Sequence, residues 1–506
     1  MTKMSWMRPA ALGLSTAALF ALGGCSPKPA AEGSESARKW GDITFEPCAL
    51  ESKQGLDASK AYCAKTKVAE DAANPKSRQI ELNLAWIPAE NGSLKDPIVF
   101  LAGGPGQAAV EYASYARLIL AQANRNRDLL LIDQRGTGES NALSCPKAEE
   151  KYELEDVQLT PAQQLEAMKV CQAEVATKAD TRFYTTTDFV RDLEIVRQRL
   201  KVTQYNLVGI SYGTRVAQKY AQAYPKQVRS MVLDGVVPNR LVVGGEFARQ
   251  LDHALQAQDA YCAKDKSCKA EYGGNLSQRL RDLRVRLDAA PASVQVRDNA
   301  TNDLKTLKID GTRLTALVQK LAYSPEAMSI LPLLIKRAEQ GDYQPLGSLI
   351  NATSDNSNGI EAGLFMSVVC AEDMPRWTVE SATTEKDSLL GRDFRTEYDA
   401  ACKFWPSGTA PKDFSATPVS QTPTLMLSGE LDPVTPPAYA AEIAKFYPNG
   451  RQLTLKGSGH GSMMRGCTAR LTAQFIDRGD AKSLDAKCLD SLGFIPPFTG
   501  FNGWDP

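Results

Sequence analysis

The chain has 506 residues, 43% of them hydrophobic, with 59 Lys plus Arg set against 59 Asp plus Glu. That length and apolar content suffice to bury a large core and to build more than one domain. The charges cancel and no basic tract stands out, which argues against nucleic acid as a partner.

The amino-terminal residues read as a targeting segment rather than as fold. Lys3 and Arg8 make a positive region ahead of an apolar stretch, Ala10 to Leu22, that is short for crossing a bilayer. It ends in Leu22-Gly23-Gly24-Cys25, which resembles the lipobox of a bacterial lipoprotein signal peptide. An ordinary secretory signal with an incidental cysteine is the alternative. The resemblance implies a signal peptide over residues 1–24, cleavage before Cys25 and acylation of Cys25. Several acyl chains would hold the protein to a lipid membrane, whereas one alone binds only marginally. Ser26 after the cysteine resembles an outer-membrane address of Gram-negative lipoproteins. The expected location is therefore the bacterial cell envelope, anchored in the outer membrane and facing the periplasm. Residues 25–40, rich in Pro, Ala, Ser and Glu, read as a flexible tether.

Of 11 cysteines, setting Cys25 aside leaves an even set of ten. An exported chain meets an oxidising compartment, so an even set reads as disulfides. A metal site would need close pairs such as C-x-x-C, and there are none. Connectivity does not follow from sequence; nearest-neighbour pairing would give Cys48–Cys63, Cys145–Cys171, Cys262–Cys268, Cys370–Cys402 and Cys467–Cys488.

Along the chain, "SRQIELNLAWIPA" from Ser77 alternates apolar and polar residues and predicts a strand. "DPIVFLAGGPG" from Asp96 predicts a short buried strand ending in a glycine-rich loop. Residues Gln107 to Ala123 follow with a helical pattern. "DLLLIDQRGTGES" from Asp128 is another buried strand and turn. Thr186 to Leu200 predicts an amphipathic helix, with Phe189, Leu193, Val196 and Leu200 on one stripe. "NLVGISYGTRVA" from Asn206 is a strand passing into a helix, and "VRSMVLDGVVP" from Val228 is a further strand. Apolar strands alternating with helices indicate a mostly parallel sheet with helices on both faces, whose reactive groups gather at the strands' carboxyl ends. The alternation stops over residues 239–421, which are polar and read as helix-rich. Connections in α/β units run about 2–6 residues, so this stretch is expected to be an inserted domain. "TPTLMLSGELDPVTPP" from Thr422 resumes the strand pattern, and "RQLTLKGSGHGS" from Arg451 is a last strand and turn. The expected core thus covers 41–238 and 422–506.

A serine hydroxyl becomes a nucleophile at neutral pH only beside a base, which in turn needs an orienting acid. Ser211, in Gly209-Ile210-Ser211-Tyr212-Gly213, fits a nucleophile elbow on a strand-to-helix turn. Such a motif also arises by chance, and its position after a buried run and before a helix is what singles this one out. The chain has two histidines, His253 and His460. His253 lies in a helical pattern within the insert and reads as a packing or surface residue. His460, in the glycine-rich turn "KGSGHGS", is the candidate base. Asp432, held in a turn by the following proline, is the candidate acid, with Glu430 as the alternative. The order Ser211, Asp432, His460 is that of α/β-hydrolases. An oxyanion would need pre-aimed donors. The backbone N–H groups of Tyr212, at the start of the elbow helix, and of Gly104, in Gly103-Gly104-Pro105-Gly106, are the candidates. "DQRGTGES" is expected to brace the top of the sheet.

Together GGPG at Gly103, DQRGTGES at Asp133, GISYG at Gly209, SGELDPVTPP at Ser428 and GSGHG at Gly457 resemble the proline iminopeptidase and tripeptidyl aminopeptidase group of α/β-hydrolases. "VAEDAANP" at Val68 and "SVVCAEDMP" at Ser367 resemble its exported members. Ala102 departs from the histidine that proline iminopeptidases often carry before GGPG, which argues against narrow proline specificity. The resemblance implies an α/β-hydrolase fold with a large helical cap, and a serine exopeptidase releasing single residues or short units from peptide amino termini. Such an enzyme needs carboxylates for the substrate ammonium group. Glu372 and Asp373 in "CAEDMP" are the candidates; a helix-end charge pair on the surface is the other reading. The expected enzyme is a monomer acting on peptides, with no metal and no organic cofactor. Its rivals are a carboxylesterase or amidase with the same triad, and a non-catalytic binding lipoprotein of the envelope.

Overall fold

A computed structural model describes residues 36–51, 57–152, 159–299, 301–354, 359–378, 388–391 and 394–503. The expected signal peptide, Cys25 and most of the tether lie outside the described residues. Twelve strands are present among those residues: β1 (Arg38–Trp40), β2 (Ile43–Leu50), β3 (Ser59–Ala69), β4 (Gln79–Ile87), β5 (Leu94–Leu101), β6 (Arg127–Ile132), β7 (Tyr205–Ile210), β8 (Val228–Asp234), β9 (Ala292–Arg297), β10 (Leu304–Ile309), β11 (Thr424–Gly429) and β12 (Gly450–Leu455). Ten of them form one sheet in the order β1-β2-β3-β4-β6-β5-β7-β8-β11-β12. The half from β6 to β12 is parallel and the half from β1 to β4 antiparallel, with β4 joining β6 antiparallel.

The central strands read as continuous apolar runs because both faces are covered. Successive residues still alternate sides. Val99, Leu101, Leu130, Ile132, Leu207, Met231 and Leu233 pack into one core, with Phe189, Leu193 and Val196 of the helix Thr186–Arg199. Ile98, Phe100, Leu129, Leu131, Val208, Val232, Leu425 and Leu427 pack into a second core on the other face. Removing such a side chain would cost about 2–5 kcal/mol, since the transfer and cavity terms add.

Two sequence expectations change. β1 takes the last three residues assigned to the tether, and β1–β3 extend the sheet beyond the first predicted strand. Trp40, Phe45 and Tyr62 close around Trp86 at centroid distances of 5.0, 5.6 and 5.6 Å, which fastens this edge. The insert, in turn, is neither wholly helical nor wholly separate. It contains the short antiparallel hairpin β9–β10, whose Val294, Val296, Leu307 and Ile309 turn into the insert's core. Leu251, Leu255, Leu283, Val318, Leu334 and their neighbours form a core of the insert's own. Leu364, Met366, Val368, Cys370, Ala401 and Trp405 instead join the core of the main sheet. From Ala37 onward the chain is one compact unit.

All five expected bridges are formed: Cys48–Cys63, Cys145–Cys171, Cys262–Cys268, Cys370–Cys402 and Cys467–Cys488. Cys48–Cys63 joins β2 to β3, and Cys370–Cys402 ties the two parts of the insert that enter the main core. Peptide mapping without reductant is expected to recover these five pairs and no others. Replacing Cys370 and Cys402 together by Ala should lower unfolding free energy by about 2–4 kcal/mol, read by denaturant titration.

Candidate active site

β7 ends at Ile210, and the helix Tyr212–Ala223 begins two residues later. Ser211 makes the turn at φ 55°, ψ −124°, a conformation that non-glycine residues avoid and that neighbouring packing must enforce. The flanking glycines permit this packing. A Cβ on Gly209 would collide with the carbonyl of Gly213, and one on Gly213 with the carbonyl of Leu101 in β5. The Ser211 amide donates to the Asp234 carbonyl at the end of β8 (2.9 Å), which pins the turn to the neighbouring strand.

The loop after β5 lies against the same turn. A Cβ on Gly103 would sit 3.3 Å from Ser211 Cβ, and Gly104 follows at φ +106°. The insert closes over this loop: the Glu361 amide donates to the Gly106 carbonyl (3.0 Å), and Ile360 forms a bridge with Gln107.

Asp432 and His460 come from the loops after β11 and β12. His460 Nδ1 donates to Asp432 Oδ2 at 2.8 Å. Asp432 is buried, and its Oδ1 accepts the amides of Val434 (2.9 Å) and Thr435 (2.8 Å) in the turn that the proline starts. Thr435 Oγ1 donates to Asp432 Oδ2 (2.7 Å) and lies 3.0 Å from His460 Nδ1. Tyr323 of the insert accepts the His460 amide on its carbonyl (2.9 Å) and sets its ring edge-on to the imidazole at 5.1 Å. The imidazole lies beside the elbow: a Cβ on Gly235, next to the residue that holds the Ser211 amide, would be 3.1 Å from His460 Cε1.

Burial alone would lower the His460 pKa. The charge and hydrogen bond of Asp432 and the charge of Asp234 outweigh it, holding the imidazole above its ordinary 6.5. Burial would likewise raise Asp432, yet the charge and hydrogen bond of His460 and the Thr435 donors keep it below the usual carboxylate range. Nδ1 thus carries the proton facing the carboxylate, and Nε2 is left as a base.

Glu430 does not reach this cluster. Its Oε2 accepts Tyr261 Oη of the insert (2.5 Å) and the Gly457 amide (3.0 Å). His253 stands exposed on the helix Phe247–Lys264, apart from the site. Asp133 accepts the Val110 amide (2.8 Å) and Asn83 Nδ2 (2.9 Å), and Arg135 pairs with buried Asp192 (2.7 Å), so DQRGTGES braces the sheet top.

Glu372 and Asp373 require a correction. They are 1% and 0% exposed, and both face protein groups. Glu372 Oε1 accepts the Thr186 amide (2.6 Å) and Oε2 its hydroxyl (2.7 Å), capping the amino terminus of the helix Thr186–Arg199. Thr186 Oγ1 is in turn 2.7 Å from Tyr212 Oη. Asp373 pairs with Arg215 of the elbow helix (3.3 Å) and with Arg376 (2.8 Å). These carboxylates fasten the insert to the back of the elbow and present no face to a ligand. Sequence reasoning missed Thr435, Tyr323 and Asp234. The threonine three residues after Asp432 and the aspartate ending a strand were the available signals; nothing local marks Tyr323.

Two family models match, one described as alpha/beta hydrolase fold over residues 96–260 and one as TAP-like protein over residues 387–488. The chain has the α/β-hydrolase fold. This hydrolase is 24% identical over 486 residues to a tripeptidyl aminopeptidase of Streptomyces coelicolor, covering 88% of this chain and 86% of that protein. It is 24% identical over 499 residues to serine protease Hip1 of Mycobacterium tuberculosis, covering 88% and 91%. Over 140 residues, 28% of the hydrolase and 26% of the relative, it is 29% identical to a proline iminopeptidase of Arabidopsis thaliana.

Burial pushes Glu372 up to about 7 from its ordinary 4.5, against the opposing pull of Arg215 and Thr186. Between these values the folded protein holds a proton that the unfolded chain has released, so this residue makes stability fall as pH rises through that window. Glu372→Gln removes the effect. Its Tm relative to the parent is expected to rise between pH 5 and pH 8 by the equivalent of ~2 kcal/mol, read by calorimetry.

Proposed function

We propose that this hydrolase is a serine peptidase that releases short units from the amino termini of peptides through an acyl-enzyme on Ser211. The single observation that carries the reading is the 2.8 Å bond from His460 Nδ1 to Asp432 beside the elbow that holds Ser211. The peptidase class and the preference for amino termini rest on the names of the relatives. Export and acylation of Cys25 rest on the leader pattern, and five disulfides fit an oxidising compartment.

In the first half-reaction, Ser211 Oγ attacks the scissile carbonyl carbon as its proton passes to His460 Nε2. The resulting imidazolium is held by Asp432. The oxyanion takes the Tyr212 and Gly104 N–H groups, the former at a helix amino terminus with its positive end potential. His460 then gives its proton to the departing amine nitrogen, and the C–N bond breaks to leave the Ser211 ester. Water enters, loses a proton to His460, attacks the ester carbon, and Ser211 recovers its proton as the peptide carboxylate departs.

Ser211→Ala is expected to lower kcat by at least about 10⁴-fold and to abolish labelling by a fluorophosphonate. Retained activity in this variant would remove the proposal. His460 must be neutral to act as base, so kcat/KM is expected to rise with pH along a limb set above 6.5. On tripeptidyl arylamides the parent should turn over substrates with a free amino terminus faster than acetylated ones. Equal rates on both, or faster turnover of acyl esters than of either, would replace the aminopeptidase reading with an esterase or amidase.

A further inference from the structure

We propose that Asp234 is a positioning residue that locks the histidine loop to the nucleophile elbow. It is the last residue of β8 and is 0% exposed. Its backbone carbonyl accepts the Ser211 amide at 2.9 Å. Its side chain turns to the loop after β12. Oδ2 accepts the amides of Ser462 (2.7 Å) and Met463 (3.0 Å), and Oδ1 lies 2.9 Å from the Ser462 amide. The next residue, Gly235, donates its amide to Leu427 of β11 (3.0 Å) and lies against the imidazole. One residue therefore bonds to the turn that carries Ser211 and to the loop that carries His460. Those two loops are about 250 residues apart in sequence and share no element, so their relative placement depends on such cross-ties.

A neutral residue could fill the space, so the carboxylate has a further consequence. Burial pushes it up to about 6, opposed by the Ser462 amide, the charge of His460 and the Met463 amide. At the pH where His460 is a base, Asp234 is ionised. Its charge then joins that of Asp432 in favouring the imidazolium that forms as Ser211 attacks. The titratable groups around it are His460, Asp432 and Tyr115, whose hydroxyl the Asp234 charge also affects. Around the imidazole stand Asp432, Asp234 and, from the insert, Tyr323.

This inference rests on His460 being the base, and the test separates the two. The chain has only two histidines, so the imidazole signals of the purified full-length protein can be titrated by NMR and assigned with His253→Ala. In Asp234→Asn, which keeps an acceptor oxygen and removes the charge, the His460 titration is expected to move to lower pH. The acid limb of kcat/KM should move with it, and Asp234→Ala should lose about 100-fold in kcat. An unmoved His460 titration in Asp234→Asn overturns the inference, whatever the activity. Should Asp234→Asn fail to fold, the parent decides: the Ser462 and Met463 amide signals must shift with a titration near pH 6, and flat signals overturn it. Activity retained in His460→Ala would instead overturn the proposed function, since the imidazole titration is read without substrate.

Discussion

Gly209 and Gly213 let the helix that begins at Tyr212 settle onto β7 and β5 at backbone distance, and the other features of the site depend on that approach. With side chains at those positions the helix would be lifted away. Ser211 would then relax from its strained turn into the sheet edge, and the Gly103–Gly106 loop would lose the surface it lies against. The strain is offset by burial of the helix on every side: Tyr212, Val216, Ala217 and Tyr220 are all in the main core.

Three acidic side chains surround this arrangement, each in a different environment. Asp432 has an imidazole partner and several donors, and stays ionised although buried. Asp234 has two backbone donors and a more distant histidine, and is left with a raised pKa. Glu372 has the charge of Arg215 and one threonine, with the like charge of Asp373 beside it, and is raised further. Burial is common to the three, so what separates them is the number and charge of their donors.

The parallel half of the sheet, the elbow, Asp432 and His460 were legible from sequence because each is a local signal. A run such as Leu129 to Ile132 is apolar on both faces, Ser211 sits between glycines, and His460 had one competitor. The even cysteine count was legible but the pairing was not; the bridges follow the nearest-neighbour assumption, each joining cysteines adjacent in sequence order. The fate of Glu372 was not, because its partner Thr186 is 186 residues away and a carboxylate at a helix end looks the same whether it faces solvent or another helix. β9 and β10 escaped notice because each is only six residues long and the pair lies among long helices. Asp234 reads as the end of a strand, and only the return of the chain after β12 gives it neighbours to bind.

The insert leaves the sheet after β8 and re-enters at β11, and these two strands are adjacent. The strands run parallel, so the excursion leaves at Asp234 and re-enters at Thr424, three residues back in register, and its ends are fixed about 11 Å apart however long it is. Doubling a loop of this kind costs only about 0.6 kcal/mol in closure entropy. The lobe built on residues 247–354 can therefore change in length at little closure cost, provided Tyr323 and Tyr261 keep their bonds to His460 and Glu430. The later stretch holding Leu364, Cys370 and Trp405 has no such freedom, since it is wedged beneath the sheet. Variation in length is thus channelled into the first part of the excursion, leaving the second as fixed masonry.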